Sequence, residues 1–208
     1  MVDSATLAAY ILVVLGLFAI PGPAVLLVLA RATSGGRVVG LATGLGIACG
    51  DFVHAVMATF GLSAVLMTSA LAFSIVKYVG AAYLVYLGLR AFFEQPRALD
   101  LPVARALQPP QAFWQAILVE VLNPKTALFF LAFLPQFVHP GSGPAIMQFA
   151  VLGVVFVAMS IAYTALLAMA AGSIGGWLSR HRGIGRWQGK GVALIFLGRG
   201  IRLAFQER

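Results

Sequence analysis

The stretch Ile20-Pro21-Gly22-Pro23-Ala24 interrupts an apolar run that is otherwise suited to cross a membrane. The run extends without a charge from Ala5 to Ala30, and a membrane-spanning helix needs only about 20 such residues. Proline lacks a backbone N–H and clashes with the carbonyl group four residues before it, so this motif breaks a helix. In hydrocarbon, a carbonyl group freed by the break needs a protein partner. The motif therefore predicts a helix that is broken inside the membrane and supported by other helices.

Composition indicates a single integral membrane domain. Of the 208 residues, 61% are hydrophobic and only 10% are charged, and the mean hydropathy is +0.98. Soluble domains contain about 45–50% apolar and about 25% charged residues. The longest polar stretch, residues 94–111, is too short to fold alone. We therefore expect residues 1–208 to form one membrane domain in contact with lipid.

The charged residues and the single cysteine exclude two classes of function. The net charge of +8 comes from bases in short segments between apolar runs, a pattern typical of membrane orientation rather than of nucleic-acid binding. Cys49 lies in a glycine-rich apolar stretch and has no partner for an internal disulfide, which excludes a carrier that uses thiol pairs. No basic residue precedes Arg31, so the first run is expected to be a retained span rather than a signal peptide.

Six apolar segments are expected to span the membrane: residues 6–30, 39–66, 70–92, 113–133, 145–171 and 187–205. Lys190, Arg199 and Arg202 interrupt the sixth segment, so an interfacial helix is an alternative there. The loops after segments one, three and five carry bases, and the other two loops carry none. These bases are Arg31, Arg37, Arg90, Arg97, Arg105, Arg180, Arg182 and Arg186. The positive-inside rule then predicts that the N-terminus and the C-terminus both lie outside.

The two halves of the chain resemble one another. Pro23 aligns with Pro124 in Asn123-Pro124-Lys125, and Gly88 aligns with Gly198. Because each half has three spans, one half must be inverted relative to the other. We expect an all-α protein of six transmembrane helices in two inverted three-helix repeats, residues 5–93 and 113–205, joined by a loop at residues 94–112. Helices 1 and 4 would be broken, as in secondary transporters that bind substrate near the membrane midplane.

The residues at the two breaks are candidates for substrate binding. A helix that restarts after a proline presents unpaired N–H groups and the positive end of its dipole, which can hold a carboxylate. The candidates are Pro21, Gly22, Pro23, Asn123, Pro124 and Lys125. A kink with a purely structural role is the alternative.

Ionisable residues inside the predicted spans are candidates for proton coupling. Asp51 and His54 share one helical face, and Glu120 lies in the fourth span. Such groups are costly at membrane depth and mark transport pathways. The alternatives are a structural anchor at Asp51, paired with Lys77 or Lys125, and a packing role for His54.

Lys125 itself has three possible environments at this depth. Its ammonium must pair with an acid, contact backbone carbonyl groups or lose its proton. Asp51 and Glu120 are the only acids inside the predicted spans. We therefore expect Lys125 to pair with one of them when no substrate is bound.

Glycines recur every fourth residue at Gly36, Gly40 and Gly44, and again at Gly46 and Gly50. Such spacing allows helices to approach closely in a membrane. The contact lies either within the chain or between two chains of a homodimer.

Several signatures of other activities are absent from the sequence. No Walker loop indicates ATP as a driver, and no spacing of catalytic residues indicates a hydrolase. The histidines His54, His139 and His181 are scattered, so no metal site is expected. We expect neither an enzyme nor a bound cofactor.

Four motifs in order resemble the LysE/RhtB family of bacterial amino-acid exporters, most closely the homoserine/threonine-exporter branch. They are Pro21-Gly22-Pro23, Gly50-Asp51-x-x-His54, Tyr83-Leu84-x-Tyr86-Leu87-Gly88, and Asn123-Pro124-Lys125 with the phenylalanine-rich segment up to Phe137. The resemblance covers residues 5–203. It implies six spans, export from the cytoplasm and a drive from the proton gradient.

The resulting hypothesis is a secondary exporter of small amino acids or derivatives in the bacterial inner membrane, working by proton antiport. The half-helix ends at Pro23 and Pro124 would bind the substrate carboxylate, and Asp51 or Glu120 would take the ammonium and carry the proton. An exporter of metal cations or other ions on the same scaffold is the main alternative. A membrane-embedded lipid-modifying enzyme and a non-transporting assembly subunit are the others.

Overall fold

The helical path of the chain is interrupted at both proline motifs. The computed structural model describes residues 2–68, 78, 86, 106–139 and 141–180. In these ranges the elements are α1 (Ser4–Ala19), α2 (Pro23–Thr68), α3 (Pro109–Val121), α4 (Pro124–Ala132), a 3-10 turn (Leu134–Phe137) and α5 (Ala145–Arg180). The described ranges contain no strand, which confirms an all-helical protein. Both predicted breaks are confirmed, since Pro23 and Pro124 each begin a helix.

Membrane-spanning length is reached by two of these helices. The segments Pro23–Ala64 and Ala145–Ala171 are long and apolar enough to cross a bilayer. A third candidate is the pair Pro109–Val121 and Pro124–Phe137, which bends by 49° at the second break. The predicted spans at residues 70–92 and 187–205, Lys77, and the match of Gly88 with Gly198 lie outside the described residues. The arrangement of six helices in two inverted repeats therefore stays a prediction.

The first predicted loop is a sharp turn at Gly36, where two helices meet inside the segment Pro23–Thr68. Gly36 forms this turn at φ 80° and ψ 178°, a conformation that glycine adopts without steric cost. Arg31, which we expected in that loop, is only 7% exposed. Its Nη2 donates a hydrogen bond of 2.7 Å to Gln115 Oε1 on α3.

Glycines bring α2 against its two neighbours, so the predicted small-residue faces are used within the chain. A Cβ added at Gly46 would lie 2.3 Å from the Phe113 carbonyl oxygen of α3. A Cβ added at Gly44 would lie 2.8 Å from Thr164 Oγ1 of α5. Gly36 is an exception, since nothing lies within 4 Å of an added Cβ there and its role is the bend.

The beginning of α1 and its inner face are both well defined. Asp3 caps the helix by accepting hydrogen bonds from the Thr6 N–H (2.9 Å) and the Thr6 hydroxyl (2.8 Å), and these bonds hold the pKa of Asp3 below its usual value. Further along α1, Tyr10 packs edge-on against Phe137 with the ring centroids 5.1 Å apart. Through such contacts α1 joins an aromatic core that it shares with α4 and α5.

Candidate functional site

The two helix breaks face a common cavity of about 40 Å³. Its walls come from the five helices and from both breaks. The lining residues are Leu17, Phe18, Gly22, Ala24, Val25, Ile47, Asp51, Glu120, Asn123, Lys125, Thr126, Ser160, Tyr163 and Thr164. A water molecule occupies about 30 Å³ of liquid, so the cavity must widen to admit an amino acid.

Five of the nine predicted site residues line this cavity: Gly22, Asp51, Glu120, Asn123 and Lys125. The other four, Pro21, Pro23, Pro124 and His54, are not part of the lining. The prolines therefore shape the breaks without forming the walls.

Two carboxyl groups meet at the cavity. Asp51 is 2% exposed and Glu120 is 1% exposed, and their side chains lie within hydrogen-bonding reach of each other. Gly50 permits this approach, because an added Cβ there would lie only 2.5 Å from Glu120 Cβ. Within the described ranges, neither carboxyl group forms an ion pair.

Neutral groups hold both carboxyl groups in place. The Ser160 hydroxyl of α5 donates to Asp51 Oδ2 at 2.5 Å. The Asn123 amide donates to Glu120 Oε2 at 3.1 Å and to Oε1 at 3.3 Å. These donors orient the acids without neutralising them, so a cation or a proton can still bind there.

Lys125 contacts the end of α1 rather than an acid. Its Nζ donates hydrogen bonds to the carbonyl oxygens of Leu17, at 2.8 Å, and Ile20, at 2.7 Å. The expected pairing with Asp51 or Glu120 is therefore wrong in this structure. The last carbonyl groups of a helix lack intrahelical donors and carry the negative end of its dipole, so they are a natural partner for an ammonium.

The helices that restart at the breaks direct their first turns towards the cavity. Ala24 and Val25 follow Pro23 and line the wall, and the first N–H groups of a helix have no intrahelical acceptor. At the second break, Asn123 Oδ1 accepts a hydrogen bond of 3.1 Å from the Lys125 N–H and so caps α4. The first break thus supplies backbone N–H groups as hydrogen-bond donors. The second break supplies a capped helix whose first turn carries the Lys125 ammonium.

His54 lies beside the cavity without lining it. Its Nε2 is 3.0 Å from the Glu120 carbonyl oxygen, and its ring stacks on Phe130 with the centroids 6.0 Å apart. This environment favours the packing alternative, because the imidazole ties α2 to the end of α3. A proton-handling role for His54 stays a prediction.

A polar face of α5 completes the site, and the sequence interpretation missed it. Ser160, Tyr163 and Thr164 all line the cavity. Their spacing of three and four residues places them on one helical face, which was the available signal in a span without charges. Because hydroxyl groups are common in membrane helices, this signal alone is weak.

A metal centre finds no support in the described part of the chain. No group of three or more histidine, cysteine, aspartate or glutamate side chains there is placed to hold a metal ion. The acids that are present face a cavity with a lysine and helix N-termini, which suits a ligand that carries both charges.

Comparison with known proteins identifies the family. A family model described as LysE type translocator matches residues 15–207. The chain belongs to the LysE family. It is therefore a membrane translocator and not an enzyme.

Relatives of this LysE-family protein include two with efflux functions. The chain is 35% identical over 142 residues to a homoserine/homoserine lactone efflux protein of Salmonella typhimurium, covering 68% of this chain and 65% of that protein. It is 26% identical over 186 residues to a leucine efflux protein of Salmonella choleraesuis, covering 89% and 88%. It is also 34% identical over 200 residues to an uncharacterised membrane protein of Pseudomonas aeruginosa, covering 94% and 93%. No solved structure matches the chain.

Proposed function

We propose that this LysE-family protein exports small amino acids or their derivatives from the cytoplasm across the bacterial inner membrane, in exchange for protons. The observation that carries the proposal is the pair of acids, Asp51 and Glu120, in a cavity between two helix breaks. The efflux functions of the homoserine and leucine relatives support an amino-acid substrate.

The cavity offers a site for each charge of an amino acid. The substrate ammonium binds Asp51 and Glu120, whose hydrogen-bond donors within the described ranges are neutral groups. The substrate carboxylate binds the first-turn N–H groups of α2 and the ammonium of Lys125. A helix N-terminus binds anions through these unpaired N–H groups and its dipole.

Exchange follows from competition at the acids. Two ionised carboxylates at this distance repel each other, and either a proton or a substrate ammonium relieves the repulsion. Because the proton and the substrate ammonium bind the same pair of acids, the binding of one excludes the binding of the other. A proton taken up from outside then releases the substrate, and proton release to the cytoplasm restores the site.

The same proposal includes the predicted architecture. Six helices form two inverted repeats, the N-terminus and C-terminus lie outside, and the base-rich loops face the cytoplasm. The break at residues 20–22 is the hinge that widens the cavity, because the last turn of α1 and the first turn of α2 meet there without a continuous helix.

Transport in proteoliposomes tests the proposal. The purified protein is reconstituted with an imposed pH gradient, and uptake of labelled leucine and homoserine is measured for the parent, Asp51→Asn and Glu120→Gln. Both variants should lose gradient-driven accumulation by about 10- to 100-fold, the value of a hydrogen bond to a charged group. Asp3→Asn is the matched control, since Asp3 is exposed at the start of α1 and asparagine also caps a helix.

Two outcomes contradict the proposal. Normal gradient-driven transport by both amide variants excludes exchange at the acids. Transport of metal or other cations by a parent protein that moves no amino acid supports the ion-exporter alternative instead.

A further inference from the structure

Three carbonyl groups at the end of α1 are held by side chains from other helices. Lys125 of α4 binds the carbonyl oxygens of Leu17 and Ile20. The Tyr163 hydroxyl of α5 donates to the Phe18 carbonyl oxygen between them, at 2.9 Å. The broken end of α1 is therefore bound from two sides at once.

Tyr163 makes a second contact with the same turn. Its ring stacks on the Phe18 ring with a centroid distance of 5.1 Å and an interplanar angle of 15°. The tyrosine also lines the cavity beside Lys125. Because α5 extends from Ala145 to Arg180, these contacts attach the short helix α1 to a long neighbour.

The position of the α1 carbonyl groups decides where the lysine ammonium can point. A lysine ammonium has three N–H donors, and two of them are used on Leu17 and Ile20. Among the described residues the third N–H has no acceptor, so it is available to a ligand in the cavity. Gly22 leaves room for the lysine in this position, since a Cβ there would lie 3.3 Å from Lys125 Cδ and 3.5 Å from Nζ.

We propose that Tyr163 is a positioning residue for substrate binding, and that it acts through Lys125. By fixing the turn of α1 that carries the lysine's acceptors, Tyr163 aims the remaining N–H of Lys125 at the substrate carboxylate. This inference rests on the proposed function, in which Lys125 binds that carboxylate.

Tyr163→Phe is the central variant, because it keeps the stacked ring and removes only the donor to Phe18. Tyr10→Phe is the matched control. Like the half-buried Tyr163, the buried Tyr10 packs on a phenylalanine, but its hydroxyl has no hydrogen-bond partner in the described ranges. Both variants lose one oxygen atom, so a difference between them reports the hydrogen bond.

Two measurements on the full-length protein are combined. The rise of the melting temperature with leucine or homoserine concentration gives an affinity without turnover, because a ligand stabilises the folded state by mass action. Transport in proteoliposomes gives the half-saturating concentration and the maximal rate separately. Tyr163→Phe should raise the half-saturating concentration about three- to tenfold, the value of one hydrogen bond, with the maximal rate unchanged.

A double-mutant cycle tests whether Tyr163 acts through Lys125. In a Lys125→Met background, Tyr163→Phe should change the affinity by less than about twofold. Lys125→Arg provides the background if the methionine variant binds too weakly to titrate.

The outcomes separate this inference from the proposed function. Equal affinities of Tyr163→Phe and Tyr10→Phe overturn the inference alone, as does an equal loss in both backgrounds. If Tyr163→Phe lowers the maximal rate and the ligand-free melting temperature but leaves the affinity unchanged, Tyr163 has a merely structural role. This result also overturns the inference. If the parent protein neither binds nor transports an amino acid, the proposed function fails and the inference fails with it.

Discussion

Replacing Gly50 by alanine tests how closely α3 approaches α2 at the pair of acids. The added Cβ would lie 2.5 Å from Glu120 Cβ and 2.9 Å from Glu120 Cγ. Carbon atoms in ordinary contact are about 3.5–4.0 Å apart, so α3 must move away by about 1 Å. The first of these clashing atoms is attached directly to the backbone, so a change of rotamer cannot relieve the clash.

The expected cost follows from two opposing terms. Overpacking of this kind costs about 1–3 kcal/mol, and alanine gains about 1 kcal/mol over glycine inside a helix. Gly61→Ala, on the same helix, is the control, since nothing lies within 4 Å of its added Cβ. The Gly61→Ala control gains only the higher helix propensity of alanine, without an overpacking cost. Gly50→Ala should therefore be less stable than Gly61→Ala by about 1–3 kcal/mol.

Thermal unfolding of the two variants in detergent measures this difference. For a chain of this size, 1 kcal/mol corresponds to about 2–4 °C, so the melting temperatures should differ by about 2–12 °C. Gly50→Ala should also weaken substrate binding, because it displaces Glu120 from Asp51. Equal melting temperatures for the two variants would refute the close approach of α2 and α3 on which the paired acids depend.

Two further predictions concern polar contacts of α3. Asn123→Ala removes the cap of α4 and a donor to Glu120, and should cost about 1–2 kcal/mol in thermal unfolding. Asn123→Asp keeps a capping oxygen but places a third carboxyl group against Glu120, so it should be no more stable than Asn123→Ala and should lose transport; equal transport by Asn123→Asp and the parent contradicts this. Gln115→Leu removes an acceptor from buried Arg31 and should cost about 1.5–3 kcal/mol. Leu118→Ala, at an exposed position of the same helix, is its control, and equal melting temperatures would argue against the Arg31 contact.

The sequence predicted the features that arise from strong local rules. Proline cannot continue a helix, so the breaks before Pro23 and Pro124 were visible without a structure. Buried acids are costly in a membrane, so Asp51 and Glu120 stood out as candidates. In the structure both acids line one cavity with residues of both breaks.

The features that the sequence left open depend on backbone partners and on long-range packing. The sequence placed a loop between the first two apolar segments, but it did not show that a single glycine, Gly36, makes the turn between two helices. Lys125 was expected beside an acid, with contact to backbone carbonyl groups as one of the alternatives; the packing of α4 against the end of α1 decides between them, and the sequence does not show that packing. The hydroxyl groups of Ser160 and Tyr163 gain significance only through the partners that α1 and α2 bring to them.

The partner of Lys125 bears directly on whether exchange is possible. A lysine tethered within the cavity and paired with Glu120 would compete with the substrate ammonium at a very high effective concentration. In the structure, the broken end of α1 takes the lysine instead, through two carbonyl groups that carry partial negative charge. The acids then keep their capacity for a mobile cation or a proton. The break at Ile20-Pro21-Gly22 thus has two roles in the proposed cycle: it supplies N–H groups for the substrate carboxylate, and the carbonyl groups beside it accept two of the hydrogen bonds of the lysine ammonium.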